Sequence, residues 1–188
     1  LAFQAISNPI FKLKNTVKKY LIILLFVFLN NQAQAQSLSD YKFCNHHKFT
    51  YFKLKVYDIN LCNNQSQQLN YQGLYDQDFA LVIEYNINIK RQKFAESSME
   101  EIARYYKLND EEQKNYYNQL LKVFVDVKPK DQIAAVYQAS GVTTFYHNRK
   151  ETGKIVDKNF SKIFLNIWLH PQAHYADMRD DLLGGGRK

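Results

Sequence analysis

Few positions in this chain pair reactive side chains at a spacing that chemistry could use. His46 and His47 are adjacent, so in an extended segment they point to opposite faces. A zinc-type site needs three or four converging ligands, and a solvated histidine pair is expected instead. His170 and His174 are four residues apart, but Pro171 breaks the helix that would align them. The closing "GGGRK" lacks the spacing of a phosphate-binding loop. "GVTTF" at 141–145 holds no nucleophile elbow, and no Ser/His/acid order is readable. These residues point to no metal, no cofactor and no nucleophilic catalysis. What stands out is aromatic content: 14 tyrosines, 13 phenylalanines and one tryptophan. That composition suits a packed core or an aromatic-lined pocket for a flat or lipid-like ligand.

The start of the chain explains much of its charge. Lys12, Lys14, Lys18 and Lys19 precede the apolar run "YLIILLFVFL" at 20–29, and Ala33 and Ala35 follow as A-x-A. A basic region, a short apolar run and small residues before a cleavage point describe a secretory signal peptide. The run is about half the ~20 residues that a membrane-spanning helix needs. No Cys follows Ala35 directly, so a lipoprotein-type signal is not expected. Residues 1–35 are therefore expected to be a signal peptide, with residues 1–11 an upstream extension, and 36–188 a single domain in a secreted or periplasmic protein. The signal carries four lysines and no acid, so most of the formal +7 leaves with it. No Arg-rich stripe or base-reading motif suggests nucleic acid, and no stable membrane insertion is expected after cleavage.

Export permits a disulfide between Cys44 and Cys62, yet the apparent geometry opposes one. "KFTYFKLKVYDINLC" (48–62) is rich in β-branched and aromatic residues and reads as one long strand. If 49–62 is straight, it spans about 43 Å at ~3.3 Å per residue. Residues 44–49 reach back at most roughly 17 Å, and a disulfide needs Cα atoms about 5.5–6 Å apart. Two separately placed thiols are expected. The apolar parity of the strand switches from Phe52, Leu54 and Val56 to Tyr57, Ile59 and Leu61, which requires a bulge or bend near Val56–Tyr57.

Residues 63–78, rich in Asn and Gln, predict an exposed loop. "FALVIEYNINIK" (79–90) alternates cleanly, with Phe79, Leu81, Ile83, Tyr85, Ile87 and Ile89 on one face, as in a half-buried antiparallel strand. Two helices follow. The first carries a stripe of Met99, Ile102, Ala103 and Tyr106. The second opens with a capping box, Asn109 and Glu112, and repeats Tyr117, Leu120, Leu121 and Phe124 at helical spacing. "QIAAVYQ", "VTTFYHN" and "ETGKIV" are three strands of a meander, separated by "ASG" and "RK". Asp157 then caps a helix whose face is Phe160, Ile163, Phe164, Ile167 and Trp168, stopped by Pro171. Trp168 is expected to pack in the core. A short last helix over 175–183 turns Met178, Leu182 and Leu183 inward. Strands that pair locally, covered by helices, predict an α+β fold.

Several of these pieces together resemble a known family. "YFKLKVYDINLC", "ALVIEYNI", the run from "DVKPKDQIAAVYQASG" to "NIWLHP", and "MRDDLLG" are similar to the chalcone isomerase-like domain family, in its exported bacterial branch. The resemblance covers roughly 48–184. Asp131, Tyr137, Gly141, Phe145, Tyr146, Asn148, Gly153, Phe160, Ile167–Leu169 and Leu182–Gly184 follow in order. It implies an open-faced β-sandwich: a curved antiparallel sheet covered by helices, with a cleft between. In catalytic members an Arg near the end of an early strand stabilises an enolate, helped by Tyr and Thr hydroxyls. By resemblance the Arg position falls here on Lys48 and the Thr position near Tyr57. The Gly residues that usually flank that strand start are Asn45 and His47, and Lys93 or Phe94 occupies the region of the catalytic Tyr. Lys lacks the planar fork of Arg. The resemblance therefore implies a non-catalytic binder of an apolar carboxylate such as a fatty acid, with Lys48 and Tyr57 as ligand contacts. The alternative is an isomerase, an intramolecular lyase, acting on a chalcone-like or other enolisable substrate.

Overall fold

The computed structural model describes residues 38–65 and 69–185. The expected signal peptide and upstream extension lie outside these residues. The described residues all belong to one compact unit.

Six strands form one antiparallel sheet in simple sequence order. They are β1 (Phe43–Tyr51), β2 (Leu54–Asn63), β3 (Phe79–Tyr85), β4 (Gln132–Tyr137), β5 (Thr143–His147) and β6 (Lys150–Ile155). Four helices pack on it: α1 (Arg91–Ala103), α2 (Asp110–Val123), α3 (Lys158–Leu169) and α4 (Ala176–Leu182). This is the open-faced α+β sandwich expected from the sequence.

The long predicted strand is in fact two. The chain reverses at Phe52–Lys53, where both residues adopt left-handed φ values of 46° and 66°. Positive φ at both central residues is the signature of a type I′ hairpin turn. Phe-Lys carries none of the Asn-Gly chemistry that marks such turns, so the hairpin is invisible to propensity. The reversal sets Cys44 directly opposite Cys62 in the β1–β2 register. The two form a disulfide, contrary to the expectation of separate thiols. That expectation failed because it assumed one straight strand.

The predicted face change near Val56–Tyr57 is present. Phe49 pairs with Tyr57 and Thr50 with Lys55, which leaves Val56 as an extra residue in β2. β3 keeps the predicted alternation as far as Tyr85, with Phe79, Leu81, Ile83 and Tyr85 all buried. The strand ends there, short of the expected Lys90, and Ile89 makes only an isolated bridge to Val127.

The helix caps follow the sequence closely. Asn109 and Glu112 form the reciprocal capping box of α2, and the Asp157 carboxylate accepts from the Phe160 amide at 3.0 Å. The buried faces of α1 and α2 differ in detail from the predicted stripes. α1 buries Phe94, Ala95, Ser98 and Ile102, while Ala103 is exposed. α2 buries Tyr116, Leu120 and Val123. Its middle meets the first turn of α3, with the Tyr116 ring stacked on Phe160 at 3.9 Å between centroids.

The Asn/Gln-rich segment is not simply an exposed loop. A 3₁₀ turn at Leu74–Asp76 buries Leu74 and Tyr75. The Tyr75 hydroxyl donates to Asn166 Oδ1 at 2.7 Å, and Asn166 Nδ2 donates to the Tyr106 hydroxyl at 2.6 Å. Both ends of a buried amide are thus satisfied, as burial requires. The segment packs a second side of α3, which explains why that helix is buried almost all round.

Candidate functional site

At the β1–β2 end of the sheet the helices stand away from the strands and leave a cleft of about 400 Å³. Phe49 and Tyr51 of β1 line one side, with Leu54, Val56 and Tyr57 of β2. The bulge at Val56 brings both Val56 and Tyr57 to the cleft, where a regular strand would present only one of them. Tyr85, Ile87 and Ile89 continue the β3 face inward. From the helices come Phe94, Ser97, Ser98 and Glu101 of α1, Ile167 and Trp168 of α3, and Tyr175 just before α4.

The inner end is buried and aromatic. Tyr85 is 2% exposed and meets the Phe94 ring edge-on at 5.4 Å. Phe94 stacks on Phe124 at 4.1 Å, which joins the cleft wall to the core. The outer end is open, with Tyr51, Leu54 and Tyr175 all exposed.

One polar point lies within this apolar wall. The Trp168 indole N–H donates to the Tyr57 hydroxyl at 3.3 Å, and the Tyr57 hydroxyl approaches Met178 Sδ at 3.8 Å. Burial holds the Tyr57 phenol above the usual tyrosine range, so it stays protonated and acts as a neutral donor. Burial raises Tyr85 in the same sense. Ser98 returns its hydroxyl to the Phe94 carbonyl at 2.9 Å. Glu101 pairs with Arg104 Nε at 3.0 Å and is the only charged residue of the lining among the described residues, with no Lys, Arg or His beside it there.

The two residues singled out by resemblance are separated by this geometry. Tyr57 lines the cleft. Lys48 is exposed, across the ladder from Asp58. Its neighbour Phe49 stacks on Tyr57 at 4.8 Å, and successive strand residues face opposite ways. Lys48 therefore lies on the sheet's other face, where His46 and Lys55 approach Asp58 at 3.5 Å and 2.6 Å. His47 turns toward the helices and meets Asp181 at 2.8 Å, so the adjacent histidines do diverge. Trp168 is 8% exposed and belongs both to the core and to the cleft wall. Sequence reasoning found its helical face but not its second role.

A family model described as chalcone isomerase-like matches residues 50–184. The chain belongs to the chalcone isomerase-like family. No curated protein matches the sequence. Among solved structures, a fatty-acid binding protein of Arabidopsis thaliana superposes with a TM-score of 0.52 at 11% identity. The match covers 77% of this chain and 85% of that one. At that identity the likeness carries the fold. In this member of the chalcone isomerase-like family a cleft lies between sheet and helices, and no cation lines it among the described residues. No helix among the described residues is long and apolar enough to cross a membrane.

Proposed function

We propose that this protein is an exported, non-catalytic carrier that holds an apolar carboxylic acid, such as a fatty acid, in the cleft between sheet and helices. The observation that carries this reading is a lining mainly of aromatic and aliphatic side chains whose one charged member among the described residues is Glu101. Among the described residues the wall offers a developing enolate no cation, only neutral donors such as the Tyr57 hydroxyl and the Trp168 indole N–H. Glu101 is already paired with Arg104, so an ionised ligand carboxylate buried beside it would meet a like charge with no lining cation of its own among the described residues, at a cost of several kcal/mol. The acid is therefore bound protonated, with the neutral Tyr57 hydroxyl as its hydrogen-bond partner and its tail against Phe49, Val56, Ile87 and Trp168. Lys48, on the opposite face of β1, has no part in it. The Cys44–Cys62 disulfide supports export, because such bonds persist in oxidising compartments.

The single tryptophan lies in the cleft wall and reports on occupancy. Trp168 fluorescence is titrated with a medium-chain fatty acid and with the alcohol of equal chain length, at pH 8 and pH 5. The acid should bind more tightly at pH 5, and the alcohol about equally at both. Tyr57→Phe should weaken the acid by roughly three- to tenfold, the effect of one lost hydrogen bond. Absence of a fluorescence response to any acyl ligand overturns the reading. Chalcone cyclisation above the buffer rate would move the isomerase to first place.

A further inference from the structure

The turn between β1 and β2 is unusual in both conformation and composition. Phe52 is 87% exposed, and its neighbours Tyr51 and Leu54 are 56% and 59% exposed. The Tyr51 and Phe52 rings meet edge-to-face at 4.5 Å, which presents a small aromatic cap to solvent. Phe52 and Lys53 both hold left-handed φ values, a conformation that costs a residue with a side chain roughly 1–2 kcal/mol. Asn-Gly would form the same turn without that strain. Residues 48–55 hold Lys48, Lys53 and Lys55 and no acid. Lys55 is paired with Asp58, while Lys48 and Lys53 are exposed. The position of the tip matters as well. Tyr51 and Leu54 also line the cleft, so the turn is one lip of its mouth.

We propose that the β1–β2 hairpin tip docks on an anionic lipid bilayer and sets the mouth of the cleft against it. Aromatic rings favour the headgroup level of a bilayer, and exposed lysines are drawn to anionic lipid. Phe52, Tyr51 and Leu54 enter the interface while Lys48 and Lys53 reach headgroup phosphates along their aliphatic stems. A second copy of this chain is a poorer occupant, because two tips face to face would bring like charges together. The further consequence, that acyl ligands pass between bilayer and cleft through this lip, rests on the carrier reading above. Docking itself does not.

Co-sedimentation with phosphatidylcholine vesicles, with and without one quarter phosphatidylglycerol, tests the proposal. Wild type, Phe52→Ser and Lys53→Glu are compared. Each is made as the full chain and as residues 37–188, the compact unit that contains the described core, because the apolar run at 20–29 can hold vesicles by itself. In the shorter form, wild type should partition to anionic vesicles about tenfold more strongly than to neutral ones, and lose that preference in high salt. Each substitution should lower the anionic partition about five- to tenfold. Neither residue lines the cleft, so the Trp168 titration in solution should be unchanged. Partition that ignores both substitutions overturns the proposal. So does a dimer that Phe52→Ser dissociates while vesicles stay empty, which would assign the tip to a second copy. Loss of partition in a protein whose Trp168 ignores acyl ligands would support docking and sink the carrier reading alone.

Discussion

The two edges of the sheet are built on the same hairpin and put it to opposite uses. At one edge, Phe52–Lys53 joins β1 to β2; at the other, Asn148–Arg149 joins β5 to β6, and all four residues have left-handed φ. The ladders then match step for step. Tyr51, Thr50 and Phe49 pair with Leu54, Lys55 and Tyr57, while His147, Tyr146 and Phe145 pair with Lys150, Glu151 and Gly153. Each hairpin thus skips one residue at the same distance from its turn, Val56 in β2 and Thr152 in β6. At the β6 edge the bulge closes the fold. The Thr152 hydroxyl donates to the Val123 carbonyl at 2.6 Å, satisfying an orphan acceptor at the end of α2. Gly153 follows, and a Cβ there would come within 3.0 Å of Val123 Cγ1. At the β2 edge the corresponding residues are Val56 and Tyr57. Here α3 and α4 reach the tip of the Tyr57 side chain, through Trp168 and Met178, and the space beside it is the cleft. One backbone device therefore closes against a helix end at one edge and lines an open cleft at the other.

The turns differ in the same sense. The Asn148 side chain accepts from the Gln132 amide at 2.9 Å and donates to Asp131 at 2.8 Å, while His147 lies 3.2 Å from Asp131. Asn also tolerates left-handed backbone. Phe52 has the strain without such an anchor, and the disulfide at the far end of the hairpin holds β1 to β2 instead.

The largest test of this contrast is in the cores behind the two hairpins. Phe145 is 1% exposed among Phe124 and Phe164, so Phe145→Ala should cost about 3–5 kcal/mol in urea unfolding. Its counterpart Phe49, half-buried at the cleft, should cost less than about 2 kcal/mol on the same change. Equal losses would mean that the cleft is as tightly packed as the core.

Next in size is the crosslink. Cys44 and Cys62 are separated by 18 residues, and the double Ser variant should lose about 3 kcal/mol on the chain-entropy argument. A reductant should lower the wild-type unfolding midpoint and leave the variant unmoved. A midpoint insensitive to reductant would show that the β1–β2 edge does not depend on the bond.

Asn148→Ala should cost about 1–2 kcal/mol, because it removes two hydrogen bonds from a turn residue. It should also change the acid response. Asp131 is held below the usual carboxylate range, first by the Asn148 amide and then by the Lys128 N–H and His147. A carboxyl with a depressed folded pKa contributes stability that is complete above its unfolded value, about 3.9, and is lost as pH falls through the folded one. Wild type should therefore lose stability between pH 5 and pH 2, and the variant should show a shallower slope over that window. Parallel slopes would remove Asn148 as the cause.

The smallest effect carries the opposite sign. Replacing Phe52–Lys53 with Asn–Gly should raise stability by about 1 kcal/mol, by relieving left-handed strain. The equivalent change at Arg149 alone, to Gly, should give less, since Asn148 already suits its position. A destabilised Asn–Gly variant would show that the tip residues are held by contacts that outweigh their strain.

What could be read from residue order alone was local. The alternation from Phe79 to Tyr85, the Asn109–Glu112 box, the Asp157 cap, the stop at Pro171 and the extra residue at Val56 each rest on short-range sterics and hydrogen bonding, which neighbouring residues determine. The α+β class followed from these, because each element had one apolar face to bury. The hairpin at Phe52–Lys53 could not be read, since Phe and Lys carry none of the local chemistry that marks a type I′ turn. With it were hidden the Cys44–Cys62 pairing and the true face of Lys48. Along a single strand with one face change at Val56, Lys48 and Tyr57 share a side; the reversal puts them on opposite sides. Leu74 and Tyr75 likewise gained their burial from α3, not from the polar segment around them. The cleft is a tertiary fact of the same kind. Its walls come from six segments of chain, and its emptiness depends on α2 backing one bulge and not the other.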